Sequence, residues 1–327
     1  MLNDKFKMMN ERKVKKETDS TFNTKHSSLN YHIPVLFNES IDALNIKPNG
    51  VYVDCTFGGG GHSNGILQKL GVNGKLFAFD QDADAQKNVP DDKRIVFVPH
   101  NFRNLQRFLR LNGVTEVDGV LADLGVSSHQ FDEGSRGFST RFDGPFDMRM
   151  NVNQETTATN IIDTYTEQQL HKMFEQYGEV SNAKTLAKHI VQHRKQVSLQ
   201  TIEQFKSLIA PVVKGNPNKY LAQVFQAVRM EVNQETDALK EMLQQLPAVL
   251  KKNGRAAIIT FHSIEDRLVK NFFKHGSFDE QIENPFVIEI KEKIFNPISK
   301  KPLTASAEEL KQNTRSRSAK LRVVERV

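Results

Sequence analysis

The sequence predicts an α/β fold, namely a doubly wound parallel sheet that is interrupted by an all-helical insert. Short apolar runs alternate with segments of helical length, which is the pattern of a parallel sheet covered on both faces. A glycine-rich loop stands between the first of these runs and the first helical segment. A long gap precedes the fifth run, and this gap indicates that a separate helical unit is inserted into the sheet.

Five apolar runs mark the predicted parallel strands. Each is continuously apolar over a few residues, which is typical of strands that are buried on both faces. The runs are residues 51–55, 76–80, 95–98, 117–124 and 256–261. We expect two later β-rich stretches, 286–291 and 319–324, to add an antiparallel edge to this sheet.

The segments between these runs have the apolar spacing and the end signals of helices. A helix over residues 63–70 is closed by Gly71. A second helix, over roughly 234–252, ends at a Lys-Asn-Gly turn before the fifth strand. After the fifth strand, we expect another helix that extends to about residue 274.

The gap between the fourth and fifth strands predicts the insert. Asp123 and Ala256 are 133 residues apart, whereas one crossover needs only about a dozen. Apolar residues recur there at helical spacing, for example Leu170, Met173, Phe174 and Tyr177, and then Ala183, Ala187, Ile190 and Val191. We therefore expect a helical insert at residues 141–230 between two parts of the core, 31–140 and 231–327.

Residues 1–30 are polar and rich in lysine, and they have no apolar periodicity. We expect a disordered extension, without the apolar segment of a secretory signal. The remaining composition is that of an ordinary globular protein, with 38% hydrophobic residues. A single cysteine, Cys55, excludes an internal disulfide and favours a reducing, cytoplasmic compartment. The apolar stretches are too short to span a bilayer, so no membrane partner is expected.

The net charge is +6, and much of the excess lies after residue 291. This charge is consistent with a polyanionic partner, but also with a solvated basic tail. Basic residues in the last segment, Arg315, Arg317 and Lys320, are candidates for phosphate contacts.

The strongest local motif is the loop after the first strand, which contains Gly58 to Gly61 and is followed by His62. Glycines allow a tight turn and a close approach of a ligand to the backbone. Asp80 ends the next strand, where an acidic residue can hold both ribose hydroxyls of an adenosine. Nicotinamide and S-adenosylmethionine binders share this spacing.

Two details favour the methyl donor over a dinucleotide. Ser63 stands where the third glycine of the dinucleotide fingerprint would be. Asp54 lies inside the first strand, where that fingerprint has an apolar residue. The Asp54 carboxylate either anchors the loop or meets the cationic end of the cofactor.

Asp123 ends the fourth strand and is the candidate catalytic acceptor. Ligands of open α/β sheets bind beyond the carboxyl ends of the strands. A carboxylate there accepts hydrogen bonds and stabilises a developing positive charge, although Asp123 is as well placed to contact the cofactor. Four aromatic residues follow in the next loop: Phe131, Phe138, Phe142 and Phe146. They either hold a substrate ring or pack between the core and the insert, and we expect the packing role for at least two of them.

Two further segments are expected near the same edge of the sheet. The polar, glycine-containing loop 137–150 includes Phe142 and Arg149, which are candidate substrate contacts. His262 follows the fifth strand and is a weaker candidate for a base or a substrate contact. The alternative for this second segment is an ordinary helix start, with Ser263 as the N-cap and Asp266 at the third helical position.

Taken together, these motifs resemble the RsmH (MraW) family of 16S rRNA cytosine-N4 methyltransferases. The resemblance covers about residues 31–327 and is carried by the stretches 31–36, 54–63, 123–132, 137–150, 224–233, 261–270 and 316–326. It implies a class I (Rossmann-like) S-adenosylmethionine-dependent methyltransferase core, with a helical insert that helps to hold RNA. The family usually has proline where this chain has His129, which affects the loop before Gln130.

The resemblance also implies a substrate and a set of contacts. The substrate is a cytidine in the decoding centre of 16S rRNA, within the small ribosomal subunit. The motif does not settle the catalytic residue, so the role of Asp123 as acceptor for the exocyclic amine is inferred from its place at the strand end. The implied cofactor contacts are Gly60, Gly61, His62, Asp80, Phe102, Asp123 and Gln130. No metal is expected, and both a monomer and a homodimer are compatible with the sequence.

Three other functions are compatible with parts of the pattern. An NAD-dependent Rossmann oxidoreductase shares the glycine loop and the strand-end acid. A non-catalytic RNA-binding module shares the fold and the charge. Amino methyltransferases acting on DNA usually carry two prolines and an aromatic residue after the fourth strand, whereas this chain has Asp123-Leu-Gly-Val.

Overall fold

Seven strands form one mixed sheet in residues 34–278 and 293–327, the part of the chain that the computed structural model describes. The strands are β1 (Val51–Asp54), β2 (Lys75–Phe79), β3 (Ile95–Val98), β4 (Val117–Asp123), β5 (Leu250–Thr260), β6 (Phe295–Pro297) and β7 (Lys320–Arg326). Their order across the sheet is β3-β2-β1-β4-β5-β7-β6. The predicted extension 1–30 and the predicted strand 286–291 lie outside the described residues.

The first five strands run parallel to one another, and β7 runs antiparallel to both β5 and β6. The predicted α/β fold is therefore confirmed, including the antiparallel edge at 319–324. Because β1, β2 and β4 are parallel neighbours, their carboxyl ends lie at one edge of the sheet. A ligand crevice is expected at that edge.

The start of β5 differs from the prediction. The helix before it ends at Val249 rather than Lys252, because Leu250 already has extended backbone and pairs with Val117. Pairing then resumes at Arg255, so the Lys-Asn-Gly turn is an irregularity inside the strand, with Asn253 at φ 62°. A bulge of this kind is compatible with continued pairing on either side.

The described ranges contain twelve helices. They are α1 (Phe37–Ala43), α2 (Gly61–Lys69), α3 (Leu105–Leu111), α4 (Ser128–Asp132), α5 (Ala158–Thr164), α6 (Glu167–Gly178), α7 (Ala183–His193), α8 (Ile202–Ile209), α9 (Pro217–Val232), α10 (Glu235–Val249), α11 (Ser263–His275) and α12 (Ala307–Gln312). None of these helices combines the length and the apolar character that crossing a bilayer requires.

The two faces of the sheet are buried by different helices. Alternate residues of a strand point to opposite faces. Val120 and Ala122 accordingly pack with α3, α10 and α11, while Leu121 packs with α1 and α2. Both faces are therefore covered, which explains why the strands read as continuous apolar runs.

The helices α5 to α9 lie between β4 and β5 and share a hydrophobic core of their own. Its centre is aromatic: the rings of Phe146 and Phe205 stack with centroids 4.5 Å apart, and Phe225 packs against both. Phe138 and Phe146 are buried in this core, so these two of the four candidate rings have a packing role.

Asn233 joins the two chain segments that connect this helical unit to the sheet. Its Oδ1 accepts a hydrogen bond from the Met150 N–H at 2.7 Å, and its Nδ2 donates to the Met148 carbonyl at 2.8 Å. All three residues are buried. Asn233 thus satisfies backbone groups of the incoming loop from the end of α9.

We predict that Asn233→Ala lowers the free energy of unfolding by about 1–3 kcal/mol, because it leaves a buried N–H and a buried carbonyl without partners. Urea denaturation followed by circular dichroism measures this change. The control is Asn112→Ala, whose side chain makes an exposed hydrogen bond to Phe108; it should change stability by less than about 0.5 kcal/mol. Equal effects of the two substitutions would contradict the proposed role of Asn233.

Candidate functional site

The glycine-rich loop connects β1 to α2 in a tight turn. Gly60 has φ 77°, a left-handed conformation that favours glycine. A Cβ atom at Gly61 would lie 2.2 Å from the Pro34 Cγ, so a side chain there has no room. These two positions therefore require glycine for reasons of backbone and packing, and they fix the path of the loop at the edge of the sheet.

Asp80 follows β2 directly and is tied to that loop. The Gly58 N–H donates to Asp80 Oδ2 at 2.7 Å, and the Asp82 N–H donates to Oδ1 at 2.8 Å. Each carboxylate oxygen keeps a second lone pair for a ligand. Burial raises the pKa of Asp80 to about 6, although these two hydrogen bonds act in the opposite direction.

Asp54 is buried at the end of β1 and accepts hydrogen bonds from residues on both sides of the glycine-rich loop. Its Oδ2 accepts the Ser63 hydroxyl at 2.7 Å, and its Oδ1 accepts the Thr56 N–H at 3.0 Å. Of the two roles predicted for Asp54, these bonds correspond to the anchoring role. Burial raises its pKa.

Asp123 ends β4 and has a different environment. Its Oδ1 is buried and has no hydrogen-bond partner in residues 34–278 and 293–327. Burial raises its pKa well above the usual range, and the nearby carboxylates of Asp54 and Glu265 add to the increase. A buried acceptor without a donor is costly, so its presence is characteristic of a site that a ligand completes.

His62, the second residue of α2, faces Asp123 across the crevice. Its Nε2 lies 3.2 Å from the Val35 carbonyl, so a neutral ring carries its proton on Nε2 and leaves Nδ1 as an acceptor. That Nδ1 lies 3.7 Å from Asp123 Oδ2. Burial lowers the pKa of His62 to about 4, so the ring is neutral at physiological pH. Two acceptors therefore face each other, an arrangement suited to a donor or a cation.

Gln130 is buried next to the turn that follows β2. Its Nε2 donates to Asp82 Oδ2 at 2.7 Å, and its Oε1 accepts the Ser127 N–H in a capping box of α4. Arg136 lies 2.9 Å from the same Asp82 oxygen. Gln130 therefore supports the turn that carries Asp80. The roles of Asp82 and Arg136 were not predicted, although Asp82 is only two residues from a residue that was.

Phe102 begins a short 3-10 helix, Phe102–Asn104, that follows β3. It is half-buried and packs against the hydrophobic core on one face of the sheet. The neighbouring Asn101 donates to Gln81 at 3.0 Å, which links the ends of β2 and β3. The structure thus brings Gly60, Gly61, His62, Asp80 and Asp123 together, with Phe102 at the next strand along.

His262 caps α11, which corrects the predicted helix start. Its side chain accepts the Glu265 N–H, so the N-cap is His262 and not Ser263, and the third helical residue is Glu265 and not Asp266. The His262 Nε2 lies 3.2 Å from a Glu265 carboxylate oxygen. The cap made by Nδ1 gives a structural reason for the position of the imidazole, whereas its buried Nε2 makes no hydrogen bond within the described residues.

Glu265 belongs to a buried charged cluster next to Asp123. Burial acts to raise the pKa of Glu265, but His262 and Arg229 outweigh it and hold the pKa below its usual value. Arg229 also forms a two-bond ion pair with Glu235, at 2.8 and 2.9 Å. Ligand atoms of Glu235, His262 and Glu265 lie within 4.8 Å of one another, and the Arg229 guanidinium balances one of the two carboxylate charges.

The predicted RNA contacts fall into two groups. The side chains of Arg149 and Lys320 bind other groups of this chain: Arg149 binds Asp147 and two carbonyls, and Lys320, whose side chain is 43% exposed, pairs with Asp266 at 3.1 Å. Their role in RNA binding stays a prediction without support from this geometry. Phe142, Arg315 and Arg317 are at least partly exposed, and Phe142 is 42% accessible.

Comparison with known proteins identifies the family. The model of the MraW methylase family matches residues 30–327. The Ribosomal RNA small subunit methyltransferase H of Azobacteroides pseudotrichonymphae is 53% identical over 302 residues, which cover 92% of this chain and 99% of the relative. The protein of the same name from Christiangramia forsetii is 50% identical, covering 91% and 99% respectively.

Among solved structures, TrmN of Thermus thermophilus is similar with a TM-score of 0.41 at 12% identity, covering 89% of this chain and 48% of that one. That likeness is too weak to support an inference. The family match and the identity to the two relatives extend over the whole described region and over the motifs around the crevice. This chain therefore belongs to the MraW methylase family.

Proposed function

We propose that this methylase uses S-adenosylmethionine to methylate the exocyclic N4 amine of a cytidine in the decoding centre of 16S rRNA. The observation that carries the proposal is Asp123 Oδ1, a buried acceptor that has no partner within the described residues. The other oxygen of this carboxylate lies 3.7 Å from His62, which follows the glycine loop. Family membership supports methyl transfer, and the names of the two relatives point to small-subunit rRNA.

The charge of the crevice supports the choice of cofactor. S-adenosylmethionine supplies an electrophilic methyl group when bound, and its sulfonium and ammonium groups are cationic. Asp54, Asp80, Asp123 and Glu265 act on one another as like charges in this region. Cationic groups relieve that repulsion, whereas the pyrophosphate of NAD would increase it.

Individual residues would then hold the cofactor and the base. Asp80 would accept hydrogen bonds from the ribose hydroxyls through its remaining lone pairs. Asp123 Oδ1 would accept an N–H of the cytosine amine, stabilise the positive charge on that nitrogen and take up the proton that it releases. The predicted helical insert, 141–230, would contact the surrounding RNA.

The alternative functions differ from this proposal in what the chain binds and transfers. An oxidoreductase would bind NAD rather than S-adenosylhomocysteine, and isothermal titration with both distinguishes them. A non-catalytic RNA-binding module would bind immature small-subunit particles without transferring a radiolabelled methyl group to them. Transfer to such particles rather than to naked 16S rRNA would also identify the substrate as an assembled subunit.

We predict that Asp80→Ala weakens S-adenosylhomocysteine binding by about 10- to 100-fold, because hydrogen bonds to a charged group each contribute about 1.5–3 kcal/mol. Isothermal titration calorimetry measures the affinity, and an unchanged thermal transition shows that the fold is intact. Asp91→Ala, at an exposed loop position, is the matched control and should bind as the wild type does. Wild-type affinity in Asp80→Ala would contradict the ribose role.

The raised pKa of Asp80 predicts a pH dependence of the same affinity. Since the ionised carboxylate is the better acceptor and its pKa is about 6, acidification through pH 6 should weaken binding. Asp80→Asn has no carboxylate to titrate, so its affinity should stay nearly constant over this range. Parallel pH profiles for the two proteins would show that another group is responsible.

We predict that Asp123→Asn lowers kcat by at least about 100-fold with little effect on S-adenosylhomocysteine affinity, because an amide cannot take up the proton. The pKa of Asp123 is raised, so kcat of the wild type should fall on acidification as the carboxyl becomes protonated. Methyl transfer to immature particles measures both effects. Asp42→Asn, exposed on α1, is the control, and near-normal turnover in Asp123→Asn would remove Asp123 from the reaction.

A further inference from the structure

Two arginines from distant parts of the chain stack on one aromatic ring beside the crevice. The Arg141 Cζ lies 5.0 Å from the centre of the Phe131 ring, and the Arg315 Cζ lies 5.4 Å from it. Arg141 also lies 5.5 Å from the centre of the exposed Phe142 ring. Phe131 belongs to α4, Arg141 and Phe142 to the loop before α5, and Arg315 to the C-terminal segment. We call these four residues and Asp132 the arginine–aromatic cluster.

The charge of this cluster is unbalanced. Asp132 Oδ1 lies 2.8 Å from Arg141 Nη2, and its Oδ2 lies 3.2 Å from Arg315 Nη2. One carboxylate is therefore shared by two guanidinium groups, which leaves one positive charge in excess. The Arg141 side chain is 58% exposed and that of Arg315 31% exposed, so both side chains are at least partly accessible to solvent.

The position of α4 places the cluster at the rim of the crevice. Its N-cap, Ser127, is four residues after Asp123, and Gln130 of the same helix bonds to Asp82 next to Asp80. Phe131 and Asp132 follow Gln130 directly. A polynucleotide whose target base enters the crevice would therefore run close to this cluster.

We propose that the arginine–aromatic cluster binds the single-stranded RNA on one side of the target cytidine. The proposal rests on the proposed function, since it supplies the contacts that this site needs outside the crevice. The guanidinium groups of Arg141 and Arg315 bind phosphates, and the Phe142 ring stacks on a base, the combination that single-strand binding requires. Asp132 pairs with both guanidinium groups and therefore competes with the incoming phosphates for them.

The experiment measures binding of a fluorescein-labelled single-stranded RNA of roughly 12 nucleotides with a central cytidine, at several salt concentrations. Arg141→Ala should weaken binding and reduce the slope of log affinity against log salt by about 0.7, the value for one phosphate contact on a single strand. The double variant Arg141→Ala/Arg315→Ala should reduce that slope by about twice as much. Phe142→Ala should weaken binding by about tenfold with an unchanged slope.

Asp132→Asn provides the sharpest test, because it removes the competing carboxylate and should tighten RNA binding. A purely structural role for Asp132 predicts weaker or unchanged binding instead. Arg110→Ala is the matched control: Arg110 is exposed near the end of α3, which leads to the start of β4 at the opposite edge of the sheet. This control should bind RNA as the wild type does.

Three results would overturn the proposal: wild-type affinity and slope in Arg141→Ala, weaker or unchanged binding by Asp132→Asn, or equal competition by a duplex RNA of the same charge. Arg141 is exposed, and a thermal transition unchanged from the wild type shows that its replacement has not unfolded the chain. Titration with S-adenosylhomocysteine separates this proposal from the proposed function. If the wild-type protein did not bind S-adenosylhomocysteine, the proposed cofactor would be wrong. The RNA measurements would still decide whether the cluster binds RNA.

Discussion

The candidate site depends on carboxylates that lie together at the carboxyl ends of three neighbouring parallel strands, β1, β2 and β4. Burial raises the pKa values of Asp54, Asp80 and Asp123, and their mutual repulsion adds to the effect for Asp80 and Asp123. Such an arrangement costs stability in the free protein. Its cost is offset when a cationic ligand enters, so the same feature that destabilises the empty crevice selects the proposed cofactor.

The surrounding structure holds these carboxylates in place without neutralising all of them. Backbone N–H groups and hydroxyls bind Asp54 and Asp80, while Asp123 Oδ1 has no hydrogen-bond partner in the described residues. Arg136 and Gln130 fix Asp82 and thereby the turn after β2. Arg136 also donates to the carbonyls of Arg149 and Met150, in the loop before α5. The same side chain therefore contacts both the turn after β2 and the chain segment that leads into the helical unit.

The sequence was sufficient to predict the parallel strands and the strand-end residues Asp80 and Asp123. Both follow from local rules, since buried strands are continuously apolar and ligands bind at their carboxyl ends. The pairing of side chains was not predictable, because it joins residues far apart in the chain. Asp82 with Arg136 and Phe131 with Arg315 depend on tertiary packing. Arg149 carried the same sequence signal as an RNA contact, but it binds Asp147.

Mass spectrometry of 16S rRNA nucleosides from cells with and without this protein tests the central claim most directly. The account predicts that N4-methylated cytidine in the decoding centre depends on the wild-type chain, and that a chain carrying Asp123→Asn does not restore it. An unchanged amount of this nucleoside in cells without the protein, or full restoration by Asp123→Asn, would contradict the account.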